Sequence, residues 1–98
     1  MKLSDILSIL EEMAPLGYAE DFDNVGLLVG NPNQEIDGVL VCHDALESVI
    51  DEAISKKCNL VVCFHPILFS GIKKITGKNY VERAILKAVK NAIAIYAA

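Results

Sequence analysis

The 98-residue sequence predicts an α/β fold, a βαβαβ chain whose mostly parallel sheet is flanked by helices. Three observations lead there. Two continuous apolar runs, Gly38-Val39-Leu40-Val41-Cys42 and Leu60-Val61-Val62-Cys63-Phe64, have the character of strands covered on both faces. Between them, apolar residues recur at helical spacing. Strand, helix and strand together take up about 27 residues, close to the size of a βαβ unit. Two strands joined in this way are parallel, with a right-handed crossover.

Each element has its own signal. Leu3, Ile6, Leu7, Leu10 and Met13 lie three and four apart and predict an amphipathic first helix, ended by Pro15 and Gly17. Asp21-Phe22-Asp23-Asn24-Val25-Gly26-Leu27-Leu28-Val29-Gly30 reads as a polar turn entering a short apolar strand, and Asn31-Pro32-Asn33-Gln34 as a turn. After the strand Gly38–Cys42, a second helix is expected to start at Asp44, where Asp44 and Glu47 have the spacing of a capping box. Leu46, Val49, Ile50, Ala53 and Ile54 form its apolar stripe, and Lys56-Lys57 suit the negative end of its dipole. A loop from Pro66 to Lys78 follows the strand Leu60–Phe64. Asn79 and Glu82 then open a third helix, with Val81, Ala84, Ile85, Ala88 and Val89 on one face. Ile93-Ala94-Ile95-Tyr96 is a third buried strand. A βαβαβ chain closing on an apolar strand predicts that residues 1–98 are one incomplete α/β domain of a larger fold.

Composition narrows the function. The hydrophobic fraction is 53% and the mean hydropathy +0.40, high for so short a chain, which predicts apolar faces left for a partner or for further sequence. Net charge is −4 and no basic stretch exceeds two residues, which argues against a nucleic-acid partner. The amino terminus lacks the uninterrupted apolar core of a signal peptide, and no apolar run approaches the roughly 20 residues that span a bilayer. Cys42, Cys58 and Cys63 form no C-x-x-C pair and read as free thiols in a reducing compartment. A cytoplasmic protein without membrane contact is expected.

Chemistry concentrates where the apolar strands end. His65 follows Phe64 at the end of the second run, and Pro66 then turns the chain away from the sheet. Side chains just past the carboxyl end of a covered strand are where open α/β proteins hold ligands. Parallel strands ending near Cys42 and Cys63 bring His43, Asp44 and His65 to one rim, and imidazole, carboxylate and thiolate are metal-ligand chemistry. Each has a plainer reading. Asp44 fits a helix cap, Cys42 and Cys63 fit the core, and His43 fits a solvated rim. Cys63 with His65 makes a weak nucleophile–base pair, because an apolar setting keeps the thiol protonated. Lys73, Lys74 and Lys78 form a basic loop that is either solvated or turned to a phosphorylated ligand. The string Gly71-Ile72-Lys73-Lys74-Ile75-Thr76-Gly77-Lys78 fails as a P-loop. Five residues separate its glycines, and Asn79 stands where Ser or Thr would hold magnesium.

Four segments taken in order carry a family resemblance. Asp23-Asn24-Val25-Gly26-Leu27-Leu28-Val29-Gly30, Asp51-Glu52-Ala53-Ile54, Phe64-His65-Pro66-Ile67-Leu68-Phe69 and Asn91-Ala92-Ile93-Ala94-Ile95-Tyr96 together resemble the amino-terminal part of the GTP cyclohydrolase type-two homologues. These are also called Nif-three-like dinuclear metal proteins. The resemblance implies an α/β fold, a two-ion divalent metal site and a toroidal homohexamer with its sites facing an internal cavity. It also implies metal-dependent hydrolysis of a nucleotide-like small molecule.

Carried over by position, His65 matches the second imidazole of the family's His-His-Pro motif and is the metal ligand that transfers. Phe64 replaces the first imidazole, a variant resembling the Tyr-His-Pro form of the eukaryotic branch. The family's His-Thr-Asn-Leu-Asp segment, which supplies a ligand Asp, belongs directly after Ile93–Ala97, where this sequence ends. Further His and Glu ligands belong to the family's far carboxyl-terminal part. His43 stands where the family usually has an aliphatic residue before Asp44. The implied cofactor is zinc, iron or manganese at a site these residues complete only in part. An oligomeric scaffold with at most a structural metal is the alternative.

Overall fold

Apolar runs without polar alternation form the interior of a four-stranded sheet in the computed structural model, which describes residues 1–13, 26–65 and 74–98. The elements run α1 (Leu3–Met13), β1 (Gly26–Val29), β2 (Val39–Asp44), α2 (Glu47–Ser55), β3 (Leu60–His65), α3 (Tyr80–Lys90) and β4 (Ala94–Ala97). The strand order is β1-β4-β3-β2. β3 pairs in parallel with β2 on one side and β4 on the other, and β1 adds antiparallel to β4. The expected mostly parallel α/β sheet is present. Pro15, Gly17, residues 21–25 and most of the Pro66–Lys78 loop lie outside the described residues.

Burial on both faces explains the character of the central strands. Successive strand residues point to opposite faces. Val61, Cys63, Ile95 and Ala97 pack with Ile50 and Ala53 of α2 and Ala84 and Ala88 of α3. Leu60, Val62, Ala94 and Tyr96 pack on the other side with Leu3 of α1 and Ile36. Neither β3 nor β4 has a solvent face over these residues, so neither alternates.

β2 departs from that expectation. Leu40 and Cys42 are half-buried against the α2/α3 side, but Val39 is 44% and Val41 59% exposed. The sequence run predicted cover on both faces, and the structure supplies one. The cause is position: β2 ends the sheet, while α1 lies over β3, β4 and β1. Phe64, in the neighbouring strand, is 59% exposed.

The start of α2 is a second correction. β2 stays paired with β3 through the rung Asp44↔His65, so the backbone of Asp44 belongs to the sheet. The N-cap is Leu46, with no side-chain cap hydrogen bond, and the helix begins at Glu47. Sheet pairing has overridden the capping pattern. The far end needs no glycine. Lys57 adopts φ +58°, with its N–H donating to Ile54 O and that of Cys58 to Ala53 O, a Schellman closure. Ala92 repeats the arrangement after α3, at φ +54°. Both helices thereby feed directly into the next parallel strand.

α3 begins as its sequence predicts. Asn79 Oδ1 accepts the Glu82 N–H at 2.9 Å, and Asn79 Nδ2 donates back to Glu82 Oε2 at 3.1 Å. Ala84, Ile85 and Ala88 are buried, whereas Val89 is exposed, so the buried stripe is narrower than its apolar pattern. Glu47 of α2 faces Arg83 at 3.3 Å and Lys87 at 3.1 Å, and Asp51 faces Lys87 at 2.8 Å. These exposed pairs align the helices but are screened by solvent.

Gly30 shows how closely the α1 face is packed. At φ +130°, an added Cβ would stand 2.7 Å from the Ala94 Cβ. Gly30→Ala combines backbone strain with overpacking and is expected to cost about 2–4 kcal/mol. Urea unfolding of the two proteins measures it.

Candidate functional site

Parallel pairing sets the carboxyl ends of β2, β3 and β4 on a single rim. Its last two rungs between β2 and β3 are Cys42↔Cys63 and Asp44↔His65. His65 is the final residue of β3, placed by its backbone; its ring lies outside the described residues. Asp44 is half-buried and His43 exposed. The juxtaposition of His65 with Asp44 expected from strand order is therefore present as a register pair. His43 is displaced by strand alternation to the face that carries Val39 and Val41. Phe64, between Cys63 and His65, offers no donor atom.

The thiols belong to the core. Burial, and then the neighbouring Cys42, push the Cys63 thiol up to about 11, and its Sγ donates to Tyr96 O at 3.5 Å. Burial, followed by the charge of Asp44, also raises Cys42. Both are protonated at neutral pH, which weakens them as ligands and removes Cys63 as a nucleophile. Among the described residues, no group of three or more His, Cys, Asp or Glu side chains gathers so as to hold a metal ion. Asp44 and His65 share a rung by backbone register alone.

Glu82 was legible in sequence only as half of a capping box. It is 7% exposed, and its Oε1 also accepts the Thr76 N–H at 2.9 Å, the Thr76 hydroxyl at 3.4 Å and the Lys78 N–H at 3.2 Å. Thr76 and Lys78, just ahead of α3, are thus tied to its first turn. Lys74 and Lys78 are exposed, and Lys73 lies outside the described residues. Tyr96, read only as a strand residue, buries a hydroxyl without a hydrogen-bond partner among the described residues. At the opposite end of the sheet, a groove of about 330 Å³ opens among Asp37, Lys57, Cys58, Asn59 and Asn91. The Asn59 side chain there accepts the Asp37 N–H and donates to Glu35 O, so it braces the turn into β2. No helix among the described residues is long and apolar enough to cross a membrane.

Comparison with known proteins bears on this rim. The family model described as Duf34/NIF3 (NGG1p interacting factor 3) matches residues 1–98. The chain is 42% identical over 98 residues to a Clostridium acetobutylicum protein named GTP cyclohydrolase 1 type 2 homolog, covering all of this chain and 37% of that protein. It is 40% identical over 97 residues to the NIF3-like protein 1 of Rattus norvegicus, covering 98% of this chain and 26% of the relative. The crystal structure of a Staphylococcus aureus protein superposes with a TM-score of 0.93 at 35% identity, over 99% of this chain and 28% of that one. The chain spans little more than a third of the first relative and about a quarter of the second.

Two outcomes follow. Thiol reagent at about pH 8 is expected to label Cys58 and Cys42 well before Cys63, whose reaction should track unfolding; prompt labelling of all three contradicts the assigned burial. The Thr76 amide, then the Lys78 amide, hold the Glu82 carboxyl below its ordinary value of 4.5. That stabilisation is complete above pH 4.5 and is lost as pH falls through the lowered folded-state value. Glu82→Gln is therefore expected to unfold more readily at neutral pH and to lose less further stability on acidification, measured by urea midpoints across pH.

Proposed function

The chain belongs to the Duf34/NIF3 family, and from that premise we propose that its carboxyl rim is part of a divalent-metal site with His65 as a ligand. The observation that supports this reading is the place of His65, the last residue of a strand flanked on both sides by parallel neighbours. That is where open α/β sheets present ligand-binding side chains. A bound zinc, iron or manganese ion supplies Lewis acidity, polarising an electrophilic substrate and making water acidic near neutral pH. The chain's own contribution is to set the backbone of His65 at a fixed rung, with Phe64 at the position of the family's first imidazole. In a chain of the relatives' length, the substrate is a nucleotide-like small molecule cleaved by water, in keeping with the cyclohydrolase name of the Clostridium relative. We place the protein in the cytoplasm, in keeping with three free thiols. Its assembly is a homohexamer with the rims turned to an internal cavity.

A second reading has its own observation. The exposed face formed by Val39, Val41 and Phe64 suits an oligomeric scaffold in which metal is at most structural.

Titration with zinc or manganese against a chromophoric chelator separates the two. His65→Ala is expected to weaken binding on the order of tenfold or more, with the fold intact by circular dichroism. Equal affinity in both proteins overturns the metal reading. An unchanged oligomer without any bound metal favours the scaffold.

A further inference from the structure

β2 has a backbone edge with no described neighbour. Gly38 O accepts the Leu60 N–H of β3, and successive residues of a strand turn their backbone groups to opposite sides. Gly38, Leu40 and Cys42 therefore bond toward β3, whereas the N–H and C=O groups of Val39 and Val41 point away from the sheet. Among the described residues no strand pairs with them, because β2 ends the strand order. Native sheets protect such edges with short strands, bulges, prolines or lysines. The opposite edge is protected in this way. β1 has four residues, a register shift between Leu27 and Val29, and positive φ at Gly26 and Gly30. β2 carries none of these devices from Val39 to Cys42, and it pairs with β3 without a register shift.

We propose that β2 pairs antiparallel with β2 of a second copy across a two-fold axis, with Val39 of each copy opposite Val41 of the other. The strand is its own complement in that arrangement. Each Val39–Val41 pair exchanges two N–H···O bonds. The exposed side chains of Val39, Val41 and Phe64 in both copies join into one continuous sheet face. Charge favours the antiparallel sense. Lys57 stands at the amino end of β2, its carbonyl oxygen 3.3 Å from where a Cβ on Gly38 would be. At the carboxyl end Asp44 closes the strand, and the charges of Asp44 and Glu52 reach Cys42, where burial is the larger effect. Opposite directions set Gly38 across from Cys42, so the lysine end of each copy meets the acidic end of the other. Asp37 falls across from His43 rather than from an acid. Parallel pairing would bring like ends together. The contact is independent of the metal reading, and a homohexamer can be built from such two-fold pairs.

The test is the mass of the 98-residue chain by analytical ultracentrifugation, with reductant present to keep Cys42 and Cys58 as thiols. The wild type is expected to be a dimer or a multiple of one. Val41→Pro removes an outward-pointing N–H at an edge position, where proline is tolerated. It is expected to raise the dissociation constant of the pair about 30-fold or more. Val41→Thr keeps that N–H and is expected to raise it less than about tenfold. In the wild type, the Val39 and Val41 amides are expected to resist hydrogen exchange at high protein concentration and to exchange freely on dilution. Should Val41→Pro fail to fold, that concentration dependence decides the matter. A monomeric wild type, or a Val41→Pro protein that assembles as the wild type does, overturns the proposal. Equal losses in Val41→Thr and Val41→Pro make the side-chain face the contact and overturn the strand pairing. Amides protected in a monomer at every dilution put another segment of the same chain on this edge and overturn it too. A dimer without larger species supports the pairing and overturns the hexamer, whereas a hexamer untouched by Val41→Pro does the reverse.

Discussion

Parallel pairing of β3 with both β2 and β4 is the constraint from which the rest of the geometry follows. Once three strands run the same way, their crossovers must be helices, and each helix must land against the sheet. The face that receives α2 and α3 is filled by Val61, Cys63, Ile95 and Ala97, and the opposite face by Leu60, Val62, Ala94 and Tyr96. The same pairing aligns the strand ends, so the last rung pairs Asp44 with His65 in register. Fold and candidate site are two readings of a single register.

Elements with purely local causes were legible in the sequence. α1 spans Leu3–Met13, where the three- and four-residue spacing placed it, and Asn79 with Glu82 opens α3 by hydrogen bonds that four consecutive residues can make among themselves. What was not legible depends on neighbours. Asp44 and Glu47 carry a cap spacing, but a strand partner twenty-one residues later claims Asp44 first, the separation being that of Asp44 and His65 in number. Val39 and Val41 look like core because composition cannot tell an end strand from a central one. The antiparallel union of β1 with β4 leaves no signal in either segment. For the site, strand-end position singled out His65, while pairing Asp44 with it required the register.

The apolar excess of the composition now has an address. Val39, Val41 and Phe64 form one open sheet face, and Leu46, Ile54 and Val89 stand exposed on the helices. Relatives of which this chain covers only 37% and 26% have ample further chain to lie over such surfaces, and so has an oligomer. The protonated thiols and the absent second imidazole point the same way. The metal site proposed for the rim would draw most of its donors from outside these described residues.

The pairing of β1 with β4 also constrains how the protein is made. Gly26 pairs with Ala97, so an early-synthesised strand has its only described partner about seventy residues further along the chain. The β2–α2–β3 unit can assemble while synthesis continues, because its contacts lie within a short stretch of nascent chain. β1 must wait, and so must the packing of Gly30 against Ala94. Sheet closure is thus the late, non-local step, the kind that limits folding rate.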